Sequence, residues 1–180
     1  MKILIASDIH GSAIYCEKLL DIYFSEKYER MILLGDILYH GPRNDLPLGY
    51  EPKKVIKMLN DIKDDILAVR GNCDAYVDSM VLEFPLIDDY TIMPVKDKMM
   101  YITHGHIYNN DNLPPIHKDD ILLHGHTHVP MLTHINDHYY INPGSISIPK
   151  DNSEHTFISF ENNSFELRNL DNKIIKTLII

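Results

Sequence analysis

Three short, nearly unbroken apolar runs constrain this chain more than any other feature: KILIAS at 2–7, MILL at 31–34 and ILAV at 66–69. Runs of this length without alternation mark strands buried on both faces, as in a parallel sheet. Between the first two, Ile14, Tyr15, Leu19, Ile22 and Tyr23 recur at helical spacing behind Ser12, a suitable N-cap, up to about Glu26. Between the second and third, Pro52 suits a first helical turn, and Val55, Ile56, Leu59 and Ile62 supply a stripe for burial. Strand, helix and strand in this order predict the βαβ units of an α/β fold.

The remainder reads differently. Residues 38–52 are rich in Gly and Pro without periodicity, and a loop of that length in a compact domain tends to be functional. Residues 75–84 carry no assignable pattern. Strands then follow in succession: 90–95 and 99–103 as a hairpin, 121–123 after a loop holding Pro114-Pro115, and 131–135 with 139–141 around Asn136-Asp137. Asn142-Pro143-Gly144-Ser145 reads as a turn, followed by alternating runs at 156–160, 165–169 and 174–179. With 180 residues, no internal repeat and no linker, one domain over 1–180 is expected.

Apolar residues at 44% and charged residues at 24% give the balance of a soluble globular chain. A net charge of −9 argues against a nucleic-acid polymer held through its backbone, which calls for a basic face. The N-terminus lacks the pattern of a signal peptide, and no stretch approaches the roughly 20 apolar residues of a membrane span. Cys16 and Cys73 are too few for a disulfide framework or a cysteine zinc site. A cytoplasmic location is therefore expected.

The chemistry-bearing residues share one placement. Asp8/His10, Asp36, Asn72, His104/His106 and His126/His128 each come directly after a buried strand, and parallel strands bring such positions together at one edge. Six of the eleven histidines lie between Thr103 and His128, with His124 read as a neighbour of the ligands. Carboxylates, imidazoles and an amide oxygen make a mixed N/O donor set that suits Mn²⁺, Fe²⁺, Zn²⁺, Ni²⁺ or Co²⁺. A carboxylate such as Asp36 can bridge two ions, the arrangement used for phosphoryl displacement. A lone Asp-x-His or Gly-Asp is common by chance; the ordered set of five is not.

Taken together, DIH, GD, GNCD, THGH and GHTH resemble the signature of the calcineurin-like metallophosphoesterase superfamily. The longer stretches GDILYHGPRNDLPLGYEP, VRGNCD, GHTHVP and INPGSISIPK resemble its small bacterial YfcE-type phosphodiesterases. The resemblance implies a four-layer αββα sandwich, with two mixed sheets face to face and helices outside. It also implies two divalent metal ions, Mn²⁺ foremost. Asp8, His10, Asp36 and His128 would surround one, and Asp36, Asn72, His104 and His126 the other. The implied reaction is in-line attack of a metal-bridging hydroxide on a small-molecule phosphodiester.

One position departs from the superfamily pattern. Cys73 stands where many members carry a histidine that contacts the phosphate and protonates the leaving group, so the enzyme is expected to be weak where that proton is needed. His106 is then the spare ring for a donor, and Arg43, with Asn72, the choice for a substrate phosphate. Tyr39, His40 and Asn44 belong to the same long loop as Arg43. A phosphomonoesterase or protein phosphatase of the superfamily is the alternative enzyme. A scaffold like the retromer subunit of this fold is the alternative outside catalysis, and it predicts lost ligands where none is lost. Membrane binding is not expected, and a homo-oligomer is left open.

Overall fold

The computed structural model describes residues 1–87 and 89–180. Among the described residues twelve strands form two sheets. The larger contains β1 (Ile3–Ala6), β2 (Arg30–Leu33), β3 (Ile66–Val69), β4 (Leu86–Ile87), β10 (Thr156–Glu161), β11 (Ser164–Asn169) and β12 (Ile174–Ile179), in the order β12-β11-β10-β1-β2-β3-β4. The smaller contains β5 (Tyr90–Val95), β6 (Lys98–Thr103), β7 (Ile121–Leu123), β8 (Met131–Ile135) and β9 (His138–Asn142), in the order β5-β6-β7-β9-β8.

Both sheets are mixed. β1, β2 and β3 run parallel, as the apolar runs predicted, β4 adds parallel beside β3, and β10 to β12 extend that sheet antiparallel. β6, β7 and β9 are parallel, flanked by antiparallel β5 and β8. The sheets share a core: Ile3, Ile5, Ile32, Leu34 and Val69 from one meet Met100, Ile102, Ile121, Leu123 and Ile141 from the other. Burial of each such side chain contributes about 1.5–3 kcal/mol.

Helices α1 (Ala13–Ser25) and α2 (Pro52–Asn60) cover the other face of the larger sheet, where Leu4, Ala6, Met31, Leu33 and Ala68 pack with Cys16, Leu19, Val55 and Leu59. Ser12 caps α1, its hydroxyl accepting from the Tyr15 amide at 3.5 Å and donating to the Leu48 carbonyl at 2.6 Å. The buried stripe of α1 is rotated from the predicted one. Ile14 is 37% exposed and Tyr15 stacks on His155 with ring centres 4.1 Å apart, while Cys16 and Leu20 face inward. Ile14 instead lies over Gly49 of the long loop. α2 ends at Asn60, so Ile62 is buried just beyond the helix rather than within it.

The outer face of the smaller sheet is covered by the segment after His104. The Tyr101 hydroxyl donates to the Pro115 carbonyl at 2.8 Å, and the rings of Tyr90 and Tyr108 meet edge to face. Among the described residues no helix is long and apolar enough to cross a membrane.

Candidate metal centre

The two sheets open at a common edge, and each contributes strand ends to it. Asp8, Asp36 and Asn72 follow β1, β2 and β3, whereas His104 and His126 follow β6 and β7. The sheets are stitched together there. The His126 amide donates to Asp8 Oδ2 at 3.0 Å, and the His104 ring donates from Nδ1 to the Leu34 carbonyl at 2.6 Å. Five of the seven expected ligands have left-handed backbone: Asp8 (φ 57°), His10 (47°), Asp36 (54°), His126 (68°) and His128 (61°). Such a conformation costs an L-residue about 1–2 kcal/mol, so the surrounding contacts must hold all five in place.

Those contacts also fix which atoms face the centre. His10 Nδ1 donates to the Tyr39 carbonyl at 2.7 Å, and His128 Nδ1 to the Ile148 carbonyl at 2.6 Å, as His104 does to Leu34. A carbonyl only accepts, so in the neutral ring each Nε2 is left with its lone pair directed inward. His10 Nε2 lies 3.3 Å from His128 Nε2 and 3.6 Å from Asp8 Oδ1, which is 3.2 Å from His128 Nε2. On the other side, His104 Nε2 lies 3.1 Å from Asn72 Oδ1, 3.2 Å from His126 Nδ1 and 3.5 Å from Asp36 Oδ2. Asp36 Oδ2 is also 3.7 Å from His10 Nε2, which places it between the two groups.

Acceptor atoms facing one another repel unless positive charge sits among them. The spacings suit it: two ligands about 2.1 Å from one ion, at tetrahedral or octahedral angles, lie about 3.0–3.5 Å apart. Asp8 Oδ1 carries the same message, being buried with no hydrogen-bond partner among the described residues. Asp8 Oδ2, by contrast, is occupied by the Ser7 hydroxyl at 2.6 Å and the His126 amide. Without metal, protons take the place of the ions. Burial opposes the charge on Asp8, yet His10 and His128 outweigh it and hold the carboxyl well below the usual range. Burial likewise opposes the imidazolium of His104, but Asp36 and Asp8 raise it to about 9. His126 goes the other way, to about 4, through burial and the charge of His104.

All seven sequence-predicted ligands thus converge, and the donor set fits divalent ions. The predicted substrate residues divide. Arg43, Tyr39, Asn44, Asn72 and Cys73 line an open cavity of about 850 Å³ over the centre, whereas His40 is not part of its lining. His106 is exposed, its ring 5.4 Å from that of His104, and it too is absent from the lining. His124 is buried, bonded through Nδ1 to the Gly125 carbonyl at 2.9 Å, and burial holds it near 4, hence neutral.

Four residues support the site through contacts that the sequence did not specify. Asp74 accepts from the amides of Asp36 (2.7 Å), Ile37 (2.8 Å) and Gly71 (2.8 Å), joining the loops after β2 and β3. Ser145 and Ser147 both donate to the Asp8 carbonyl at 2.8 Å. Lys150 lines the cavity, its amide tied to the His128 carbonyl at 3.2 Å. The GNCD and GSISIPK strings contain all of them, but only the folded loops show which carbonyls and amides they reach.

Residues 1–164 match the calcineurin-like phosphoesterase superfamily domain. The chain belongs to the calcineurin-like phosphoesterase superfamily. Within that superfamily it is 38% identical over 175 residues to phosphodiesterase YfcE of Escherichia coli K12, spanning 97% of this chain and 95% of that one. A solved structure of that E. coli phosphoesterase superposes with a TM-score of 0.97 at 39% identity, covering 100% of both chains. Phosphodiesterase MJ0936 of Methanocaldococcus jannaschii is 29% identical over 80% of this chain and 83% of its own length. Vacuolar protein sorting 29 from Cryptosporidium parvum shares the superfamily fold at a TM-score of 0.62 and 17% identity, covering 98% and 95% of the two chains. The sandwich is the expected architecture, with α1 and α2 as one outer layer and the segment after His104 over the opposite face.

Proposed function

We propose that this protein is a metal-dependent phosphodiesterase that hydrolyses a small phosphodiester at a binuclear centre, with Mn²⁺ the preferred ion. The observation that carries the reading is the convergence of inward-facing imidazole nitrogens on two carboxylates, with no hydrogen-bond partner for the buried Asp8 Oδ1 among the described residues. Near-full-length likeness to a named phosphodiesterase supports the diester as substrate class. Asp8, His10, Asp36 and His128 would hold one ion, and Asp36, Asn72, His104 and His126 the other. When bound, such ions supply activation of water at neutral pH and neutralisation of charge on the phosphoryl group.

The residues of the chain do the positioning. Carbonyl bonds to Nδ1 hold the rings of His10, His104 and His128 in the ligating tautomer. Asp36 is fixed through Oδ1 by the Cys73 amide at 2.8 Å, leaving Oδ2 for sharing. Asn72 is exposed where it lines the cavity and would reach a substrate oxygen from there. Cys73 brings a thiol to this wall rather than an imidazolium, which favours leaving groups that depart without a proton, such as aryl oxides, over alkoxides. A scaffold role requires no such intact donor set. Two free thiols suit a cytoplasmic setting, and the net charge of −9 suits a small substrate rather than a polymer.

Metal-stripped protein should hydrolyse bis-p-nitrophenyl phosphate only after Mn²⁺ is restored, and His126→Ala should lower that rate at least about a hundredfold. Faster turnover of p-nitrophenyl phosphate than of the diester would favour the monoesterase. Inactivity of the metal-loaded protein toward every phosphoester would favour the scaffold.

A further inference from the structure

Two cations line the cavity, Arg43 from the long loop after β2 and Lys150 from the segment between β9 and β10. They come from different sides. Gly41, two residues before Arg43, sits against Cys73, where a Cβ would lie 2.8 Å from Sγ. The backbone of Lys150 is tied to His128, and its carbonyl accepts from the Ser153 amide at 3.0 Å and hydroxyl at 2.6 Å. Both side chains are exposed, and neither forms an ion pair or hydrogen bond among the described residues. Some other cations of this acidic chain pair with carboxylates, such as Lys2 with Glu26, Arg30 with Asp65, Lys54 with Glu51 and Arg168 with Glu166, and others, such as Lys53 and Lys176, face solvent away from the cavity, so it is the shared position of Arg43 and Lys150 at one cavity that sets them apart.

The charge balance makes this pair informative. On the phosphodiesterase reading, two divalent ions held by the carboxylates of Asp8 and Asp36 would already leave a positive floor. A diester carries a single negative charge, which that floor neutralises. Two unpaired cations on the walls above it exceed what the scissile group requires, and the cavity of about 850 Å³ has room for more than that group.

We propose that Arg43 and Lys150 form a clamp for a second anionic group, so that the substrate is a phosphodiester bearing a terminal phosphate on one arm. The inference rests on the proposed phosphodiesterase site but concerns its walls rather than its floor. A guanidinium grips phosphate bidentately and a lysine adds a mobile point charge, a pairing suited to a terminal phosphate. Tyr39, 42% exposed and in the same cavity-lining loop as Arg43, offers a ring to whatever planar group the substrate carries.

The test compares thymidine 5′-(p-nitrophenyl phosphate) with the same ester bearing a 3′-phosphate, which share nucleoside, scissile bond and leaving group. It also compares binding of thymidine 5′-monophosphate and thymidine 3′,5′-bisphosphate to Mn²⁺-loaded protein by calorimetry. In the parent protein the extra phosphate should lower KM and Kd about tenfold. Arg43→Gln and Lys150→Gln should each cut that ratio, and the double variant should bring it near one while the unfolding midpoint holds. A ratio near one in the parent protein, or one that survives both substitutions, overturns the clamp. If neither ester nor bis-p-nitrophenyl phosphate is hydrolysed, the phosphodiesterase reading fails, while the binding ratio still reports on the clamp.

Discussion

Asp8, His10, Asp36, His126 and His128 each hold a large side chain on a backbone that favours glycine. Their strain is the cost of turning sharply at a strand end so that the side chain faces the other sheet. His126 allows the cleanest measurement, because it is only partly buried. Of two variants that both lack the ligand, His126→Gly should be more stable than His126→Ala in metal-free protein by about 1 kcal/mol, read by urea denaturation. Equal stability, or a more stable alanine variant, would mean that φ near +68° is not strained here.

The elements act by bringing loop backbones close enough to share hydrogen bonds. Gly71, at the end of β3, lies so near Asp36 that a Cβ would sit 2.1 Å from Oδ1 and 2.4 Å from the amide nitrogen. Gly71→Ala must therefore displace the shared carboxylate, and Mn²⁺ affinity should fall at least about tenfold while far-UV circular dichroism is retained. Unchanged affinity would show that the two loops separate freely. The parallel strands and the ligand set were legible in the sequence because β1, β2 and β3 are apolar runs that pack on both faces, and each is followed within three residues by a polar ligand, Asp8, Asp36 or Asn72. β4 was not, since two residues carry no period. The 3₁₀ turn at Tyr76–Met80 was also missed: Tyr76, Val77 and Met80 are exposed, so no buried stripe announces it. Asp74 and Lys150 escaped for another reason, because their partners are backbone groups or open cavity, which leave no side-chain pattern.

For the whole molecule, metal binding and proton binding compete for one site. In the metal-free fold, His104 is raised from an ordinary value of 6.5 to about 9. Its pairing with Asp36 therefore stabilises the metal-free protein below pH 6.5, and that contribution is lost as pH rises through about 9. An ion must displace this proton, so Mn²⁺ affinity should tighten with pH between these values, by up to about tenfold per unit, and level off above them. A titration that is flat with pH would contradict this competition. The central claim is the binuclear centre itself, and anomalous diffraction from crystals grown with Mn²⁺ tests it most directly. Two peaks about 3.5–4 Å apart are predicted, one bonded to Asp8, His10, Asp36 and His128 and the other to Asp36, Asn72, His104 and His126. A single peak, or two that do not share Asp36, would contradict it.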